Sequence, residues 1–362
     1  MRLFNNRFLS NFCLNIPINL LDSNIYTRSV YFIYRSSVIT MSRPKVLVAM
    51  KLVPEIAIDL LRKRFDVEVC DSIQVTRAEI MKKVPGKFAI FCSPWNKIDE
   101  ELIKTAGPSL KVVGTFSVGY DHVDLNALKK YGIRLGNTPD VLTEAVAETT
   151  VGLLIATTRR FFEANHAVKT GGWKDVTPVW MCGRGIKNSV VGIVGCGNIG
   201  TSTAKKLKTF EISQLLYTSR TEKPAVKALG GKLVAIDELV EQSDFIILSI
   251  ALNKDTKFII NKERIAKMKS HAVLVNIGRG ELIDQDALIE ALQEKRIGGA
   301  GLDVMTPEPL PLDSPLMKMD NVVLLPHIGS ASIETRTEMA ILTAKNIIAV
   351  LDNTAMPKEV QF

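Results

Sequence analysis

No stretch of the chain approaches the ~18 uninterrupted apolar residues that a membrane-crossing helix needs. Cysteine is sparse. Cys13, Cys70, Cys92, Cys182 and Cys196 are an odd five with no C-x-x-C spacing, which argues against a disulfide framework and a zinc knuckle. A reduced intracellular compartment is the simplest reading of that usage. Histidine is scarcer still, four residues in 362, and no cluster with Asp or Glu has metal-ligand spacing, so no metal is expected. A G-x-S-x-G nucleophile elbow is missing too. There is no block of Lys or Arg. The net charge of +8 is scattered, with +3 of it in the first forty residues, so a solvated mixed surface is expected and neither nucleic acid nor membrane is an expected partner. What remains is an ordinary globular composition, 46% hydrophobic and 23% charged, which excludes intrinsic disorder. The length suffices for two domains with cores of their own.

Residues 1–40 differ from the rest. They hold Phe4, Phe8, Phe12, Tyr26, Tyr31, Phe32 and Tyr34, seven of the 23 aromatic residues, with four Arg and only Asp22 as an acid. Three readings fit: a mitochondrial-type presequence, an unstructured tail, or a rarely translated extension ahead of Met41. The terminal Val360-Gln361-Phe362 is no peroxisomal tripeptide. A cytosolic protein is the expectation, with the mitochondrion the alternative if the segment is a presequence.

From Pro44 onward short β-branched runs alternate with helix-period stretches. Val46–Ala49, Phe88–Cys92 and Lys111–Phe116 read as buried strands, Val67–Cys70 as a weaker one, with helices over Glu55–Phe65, Arg77–Val84 and Glu100–Ala106 between them. A long helix is predicted over Thr143–Phe161. A second series follows: Val190–Val194, Gln214–Thr218, Phe245–Ser249, Ala272–Asn276, Gly299–Val304 and Val322–Leu325, then a last helix Ile333–Leu351. Such alternation predicts an α/β fold with two doubly wound parallel sheets, the second of the dinucleotide-binding (Rossmann) kind.

Gly195-Cys196-Gly197-Asn198-Ile199-Gly200 is a G-x-G-x-x-G between a Val-rich strand and a helix. Gly195 serves the tight turn, Gly197 the approach of a pyrophosphate, and Gly200 close helix–strand packing, with Asn198 and Ile199 between them. An NAD site needs a carboxylate about 20 residues on, to accept from the ribose 2′-hydroxyl. The chain instead reads Thr218-Ser219-Arg220-Thr221 there. Arg220, helped by the Ser219 and Thr221 hydroxyls, suits a 2′-phosphate, so NADPH/NADP is expected over NAD.

Three charged residues fall just beyond three successive strands: Arg279, Glu308 and His327. Parallel sheets of this kind bind ligands outside the carboxyl ends of their strands. Reduction of a 2-keto acid needs a fixed cation for the carboxylate and ketone, which a guanidinium supplies, and an acid for the new alkoxide, which an imidazolium supplies. A carboxylate beside the imidazole orients it. His122, His166 and His271 read as structural.

Several motifs carry a resemblance: Ser117-Val118-Gly119-Tyr120-Asp121-His122, Asn137-Thr138-Pro139-Asp140-Val141, Gly195–Gly200, Gly278-Arg279-Gly280, Gly301-Leu302-Asp303-Val304 and Pro326-His327-Ile328-Gly329-Ser330. From about Arg43 to Phe362 the chain resembles the D-2-hydroxyacid dehydrogenase family, most closely its glyoxylate reductase/hydroxypyruvate reductase branch. The resemblance implies His327 as acid/base, Glu308 as its partner and Arg279 as substrate anchor. It implies substrate contacts from Val118 and Gly119 backbone N–H groups and a nicotinamide pocket lined by Ile277, Asp303 and Gly329. Ser330 joins the substrate set and Ala251 the cofactor set. It also implies a flavodoxin-like substrate domain of residues 41–142 plus 330–362, a coenzyme domain of residues 143–329, a cleft between them, and a homodimer. The over-apolar helix Ala145–Thr158 fits the dimer; Trp180 fits either the interface or core packing. The expected reaction is NADPH-dependent reduction of glyoxylate and hydroxypyruvate to glycolate and D-glycerate. Other readings are a family member with a different keto acid, or a non-enzymatic NAD(H)-sensing corepressor.

Overall fold

Strands with apolar side chains at successive positions must be covered on both faces, and helices between them supply the cover. The computed structural model describes residues 43–174 and 177–362; the readings for residues 1–40 lie outside them. Five strands, β1 (Lys45–Val48), β2 (Asp66–Val69), β3 (Ala89–Cys92), β4 (Val112–Thr115) and β5 (Arg134–Gly136), form a sheet in the order β2-β1-β3-β4-β5. Seven more form a second sheet in the order β12-β11-β10-β9-β6-β7-β8. These are β6 (Val190–Val194), β7 (Gln214–Thr218), β8 (Gly231–Leu233), β9 (Phe245–Leu248), β10 (Val273–Asn276), β11 (Gly299–Leu302) and β12 (Val322–Leu324). All pairings within both sheets are parallel. The first order is that of flavodoxin; the second is the dinucleotide-binding order with one added edge strand. The expected α/β class with two doubly wound parallel sheets is what forms.

Alternate residues divide between the two faces of each sheet. Val46 and Val48 pack with Phe91, Met339 and Ile347, while Leu47 and Ala49 pack with Ile90, Leu102 and Leu128. In the second sheet Leu216, Ile246 and Leu248 face one core, and Leu215, Tyr217 and Ile247 the other. A slip of one residue would exchange the faces, so burial fixes the register.

The last helix, Ile333–Leu351, begins where Ser332 Oγ accepts from Thr335 N at 3.1 Å, and it packs on β3, β4, β5 and the helix Glu55–Arg62. It can lie so close because β4 and β5 offer glycine there. A Cβ on Gly114 would meet Thr343 Cγ2 at 2.9 Å, and one on Gly136 would meet Asn346 Cβ at 2.7 Å. Buried Asn346 then donates to Asn137 O at 2.9 Å and ties the tail to the first sheet.

Three local expectations need correction. The helix predicted over Thr143–Phe161 ends at Thr158, and a second runs over Phe161–Lys169. Arg160 takes a left-handed φ of 57°, held by its two bonds to Glu163 at 2.7 and 2.6 Å, and Arg184 N takes the Thr158 carbonyl at 3.0 Å. The chain crossing there is close: a Cβ on Gly183 would sit 2.0 Å from Thr158 O. Strands β5 and β8 were not expected, so the second sheet has seven strands rather than six.

Asp244 staples the bottom of the second sheet. Its carboxylate accepts from Lys269 at 2.8 Å, from Val190 N at 2.7 Å and from His271 Nε2 at 2.8 Å, linking the starts of β6, β9 and β10. Burial alone would raise its pKa, but these partners outweigh it and hold the group at about 2. A depressed folded pKa adds stability above the unfolded value, and that stability is lost as pH falls through the folded one. Asp244→Asn should therefore cost about 2 kcal/mol at pH 7. The gap to the parent should close between about pH 4 and pH 2, read from urea unfolding at each pH.

Among the described residues no helix is long and apolar enough to cross a membrane. Nor does any group of three or more His, Cys, Asp or Glu residues among them suit a metal ion.

Candidate active site

The glycine fingerprint occupies the turn from β6 into the helix Asn198–Lys208. Gly195 has φ +91°, and a side chain there would strike Ser249 O at 2.7 Å. A Cβ on Gly200 would lie 2.2 Å from Gly195 O, so the helix can close on the strand only without one. Gly197, by contrast, has no atom within 4 Å of a Cβ position. That is open space at a helix N-terminus, where backbone N–H groups and the dipole favour an anion, so the residues fit a bound dinucleotide. Asn198 Nδ2 donates to Asp140 Oδ1 at 2.6 Å.

Beyond β7, Ser219, Arg220 and Thr221 lie in a loop with no acid before Glu222, whose carboxylate is occupied by Lys227 at 3.1 Å. Arg220 is exposed and has no side-chain hydrogen bond or ion pair to any described residue. Burial pushes the Cys196 thiol up to about 12 against the opposing pull of the Lys223 ammonium. Ala251 is exposed beyond β9, its carbonyl accepting from Thr256 Oγ1 at 2.8 Å.

The loops after β10, β11 and β12 carry the three charged residues. Buried Asn276 clamps the first: its Oδ1 accepts from Gly278 N at 3.0 Å and its Nδ2 donates to Arg279 O at 2.8 Å. The Arg279 side chain then reaches the first sheet. Its Nε donates to Asp121 at 3.0 and 3.2 Å, its Nη1 to Gly278 O at 2.9 Å, and its Nη2 would be 2.2 Å from a Cβ on Gly119. A side chain at 119 would displace the guanidinium from this position.

Glu308 and His327 form a pair, Oε2 to Nδ1 at 2.8 Å. The other Glu308 oxygen accepts from Met305 N at 3.1 Å. Burial pushes the Glu308 carboxyl up, but His327, the Met305 N–H and the Trp95 indole outweigh that and hold it below the usual carboxylate range. An ionised carboxylate only accepts, so Nδ1 carries the hydrogen and Nε2 is left for a second partner. Trp95 meets the imidazole edge-on, ring centroids 5.5 Å apart.

His327 itself has φ 56°, a left-handed conformation that costs a non-glycine residue about 1–3 kcal/mol. Asp303 holds it there. Its carbonyl accepts from His327 N at 2.8 Å, and its carboxylate accepts from Ile328 N at 2.7 Å and Gly329 N at 2.9 Å.

Val118, Gly119, Ile199, Ile277, Arg279, Asp303, His327, Gly329 and Ser330 come together on one cavity of about 90 Å³. Glu308 lies behind His327, facing a separate apolar cavity of about 800 Å³. Ser219, Arg220, Thr221 and Ala251 do not line the smaller cavity. Sequence reasoning missed Trp95, Asp121 and Arg336. Asp121 lies inside a quoted motif, which was its signal; the other two arrive only through tertiary approach. His122 is packed with Nε2 3.0 Å from Thr115 Oγ1, and burial pushes it down to about 4. Trp180 remains 36% exposed.

Residues 151–329 match the model of the D-isomer specific 2-hydroxyacid dehydrogenase NAD binding domain. The glyoxylate reductase/hydroxypyruvate reductase of Mus musculus is 44% identical over 79% of this chain and 88% of its own length. That of Homo sapiens is 42% identical over 88% of this chain and 98% of its own. The NADPH-dependent glyoxylate/hydroxypyruvate reductase of Sinorhizobium meliloti, solved with NADP and malonate, superposes with a TM-score of 0.75 at 32% identity, covering 88% of this chain and 97% of that one.

Proposed function

This chain belongs to the D-isomer specific 2-hydroxyacid dehydrogenase family, and from that premise we propose that it reduces glyoxylate and hydroxypyruvate to glycolate and D-glycerate with NADPH. It is an oxidoreductase with a NAD-binding domain; substrate and coenzyme preference are the finer reading. The observation that carries the reading is the convergence of Arg279 and the Glu308–His327 pair beside the Val118–Gly119 loop.

When bound, the reduced nicotinamide supplies the hydride. The fingerprint Gly195–Gly200 would hold the pyrophosphate, and Ile199, Ile277, Asp303 and Gly329 would border the nicotinamide. Arg279 binds the substrate carboxylate together with the Val118 and Gly119 N–H groups and polarises the ketone oxygen. His327 Nε2 delivers the proton to that oxygen, and Glu308, bonded to Nδ1, keeps the imidazole oriented. Asp303 keeps the loop bearing His327 from relaxing out of its strained conformation.

NADPH oxidation tests this with glyoxylate, hydroxypyruvate, pyruvate and a branched keto acid. Turnover of the first two is expected; turnover of only the branched acid, or of none, would overturn the substrate assignment. The unpartnered Arg220 supports a 2′-phosphate. NADPH should be preferred to NADH at least tenfold in kcat/KM, about 1.4 kcal/mol. Arg220→Ala should erase most of that preference, and a parent enzyme indifferent to the two coenzymes would refute it.

A homodimer is supported by exposed Phe161, Phe162, Val168, Trp173 and Trp180 on one stretch of chain. Light scattering at micromolar concentration should read twice the chain mass.

A further inference from the structure

One charged group in the small cavity has no part in the chemistry described. Arg336 stands in the first turns of the helix Ile333–Leu351 and lines the same cavity as Arg279, His327 and Ser330. Its guanidinium lies over Phe116, Cζ 5.5 Å from the ring centroid. It donates no side-chain hydrogen bond and forms no ion pair to any described residue. Burial works against its charge, with Asp303 opposing that effect. An aromatic face orients a guanidinium but satisfies none of its five N–H donors. Donors that line a cavity without protein acceptors are open to a ligand that brings the acceptor.

The acceptor's place on the ligand follows from what the other groups already meet. Arg279 and the Val118–Gly119 loop form one contiguous unit, with Gly119 directly against the Arg279 fork. On the reading given above they take the carboxylate and ketone, carbons 1 and 2. Arg336 enters from a different element, on the part of the cavity bordered by Phe116. We infer that Arg336 selects 2-keto acids whose third carbon bears an oxygen, a hydroxyl or a second carboxylate, by donating hydrogen bonds to that oxygen. A methyl group at that position leaves the donors unmet, and glyoxylate has no third carbon to offer. The assignment rests on the 2-keto acid reading of the cavity.

The test compares hydroxypyruvate with pyruvate, which differ by that one hydroxyl. A hydrogen bond to a charged group corresponds to roughly 10- to 100-fold. The parent enzyme should favour hydroxypyruvate at least tenfold in kcat/KM, and Arg336→Met should reduce that ratio tenfold or more. A parent ratio under tenfold, or a ratio that Arg336→Met leaves within a smaller margin, overturns the inference. If the variant does not fold, the parent ratio alone decides on the same threshold. A parent inactive on both acids overturns the reductase reading as well. A parent active on both without discrimination overturns only the role of Arg336.

Discussion

His327→Ala is expected to lower kcat by roughly 10²–10⁴-fold, the loss typical of removing a general acid. That corresponds to about 3–5 kcal/mol of transition-state stabilisation. The size of the effect follows from how completely one nitrogen is committed. Nδ1 is spent on Glu308 at 2.8 Å, and the carboxylate is held ionised, so only Nε2 can give a proton to the cavity. Among the described residues lining the cavity no second imidazole replaces it, and His122 is buried and pushed down to about 4. KM should move far less than kcat, because the substrate carboxylate is held by other groups. Steady-state kinetics with glyoxylate decide the matter, and a variant that keeps the parent kcat removes His327 from the proton path.

Arg279→Lys should lower kcat/KM by about 10²–10³-fold, the cost of losing a preorganised donor to a developing oxyanion. An ammonium keeps the charge but not the fork. Arg279 uses Nε on Asp121 and Nη1 on Gly278 O, which leaves Nη2 aimed past Gly119 at the cavity. Lysine has one nitrogen for all of these tasks. Asp121→Asn should do less, acting mainly on KM by loosening the orientation of the guanidinium. Arg279→Lys with near-parent kcat/KM would show that charge alone suffices and that the fork is irrelevant.

Much of this arrangement is legible in the sequence for a physical reason. Parallel strands buried on both faces produce runs of apolar residues, and the loops that follow them must lie on one rim. Arg279, Glu308 and His327 could therefore be assigned to a common edge from their positions after three such runs. Strands β5 and β8, three residues each, carry too few side chains for any periodicity. The break at Arg160 has no glycine or proline to announce it; the Thr158 carbonyl is taken by a residue 26 positions further on. Trp95 and Arg336 come from the first sheet's loop and the last helix, and only packing of the two sheets brings them to the cavity. The second task of Asp303, bonding two backbone N–H groups of the His327 loop, depends on a backbone angle that composition does not encode.

The two kinds of contact around the cavity differ in which bodies they join. Glu308, His327 and the Asp303 bonds that brace the His327 loop hang from the seven-stranded sheet, with Trp95 reaching the pair from the other. The Arg279–Asp121 and Asn198–Asp140 bonds instead bridge to the other sheet. A displacement of one sheet against the other would stretch those bridges before it reached the 2.8 Å Glu308–His327 bond. The proton donor is thus assembled mainly on one sheet, while Arg279 and Asn198 tie the substrate side to the other.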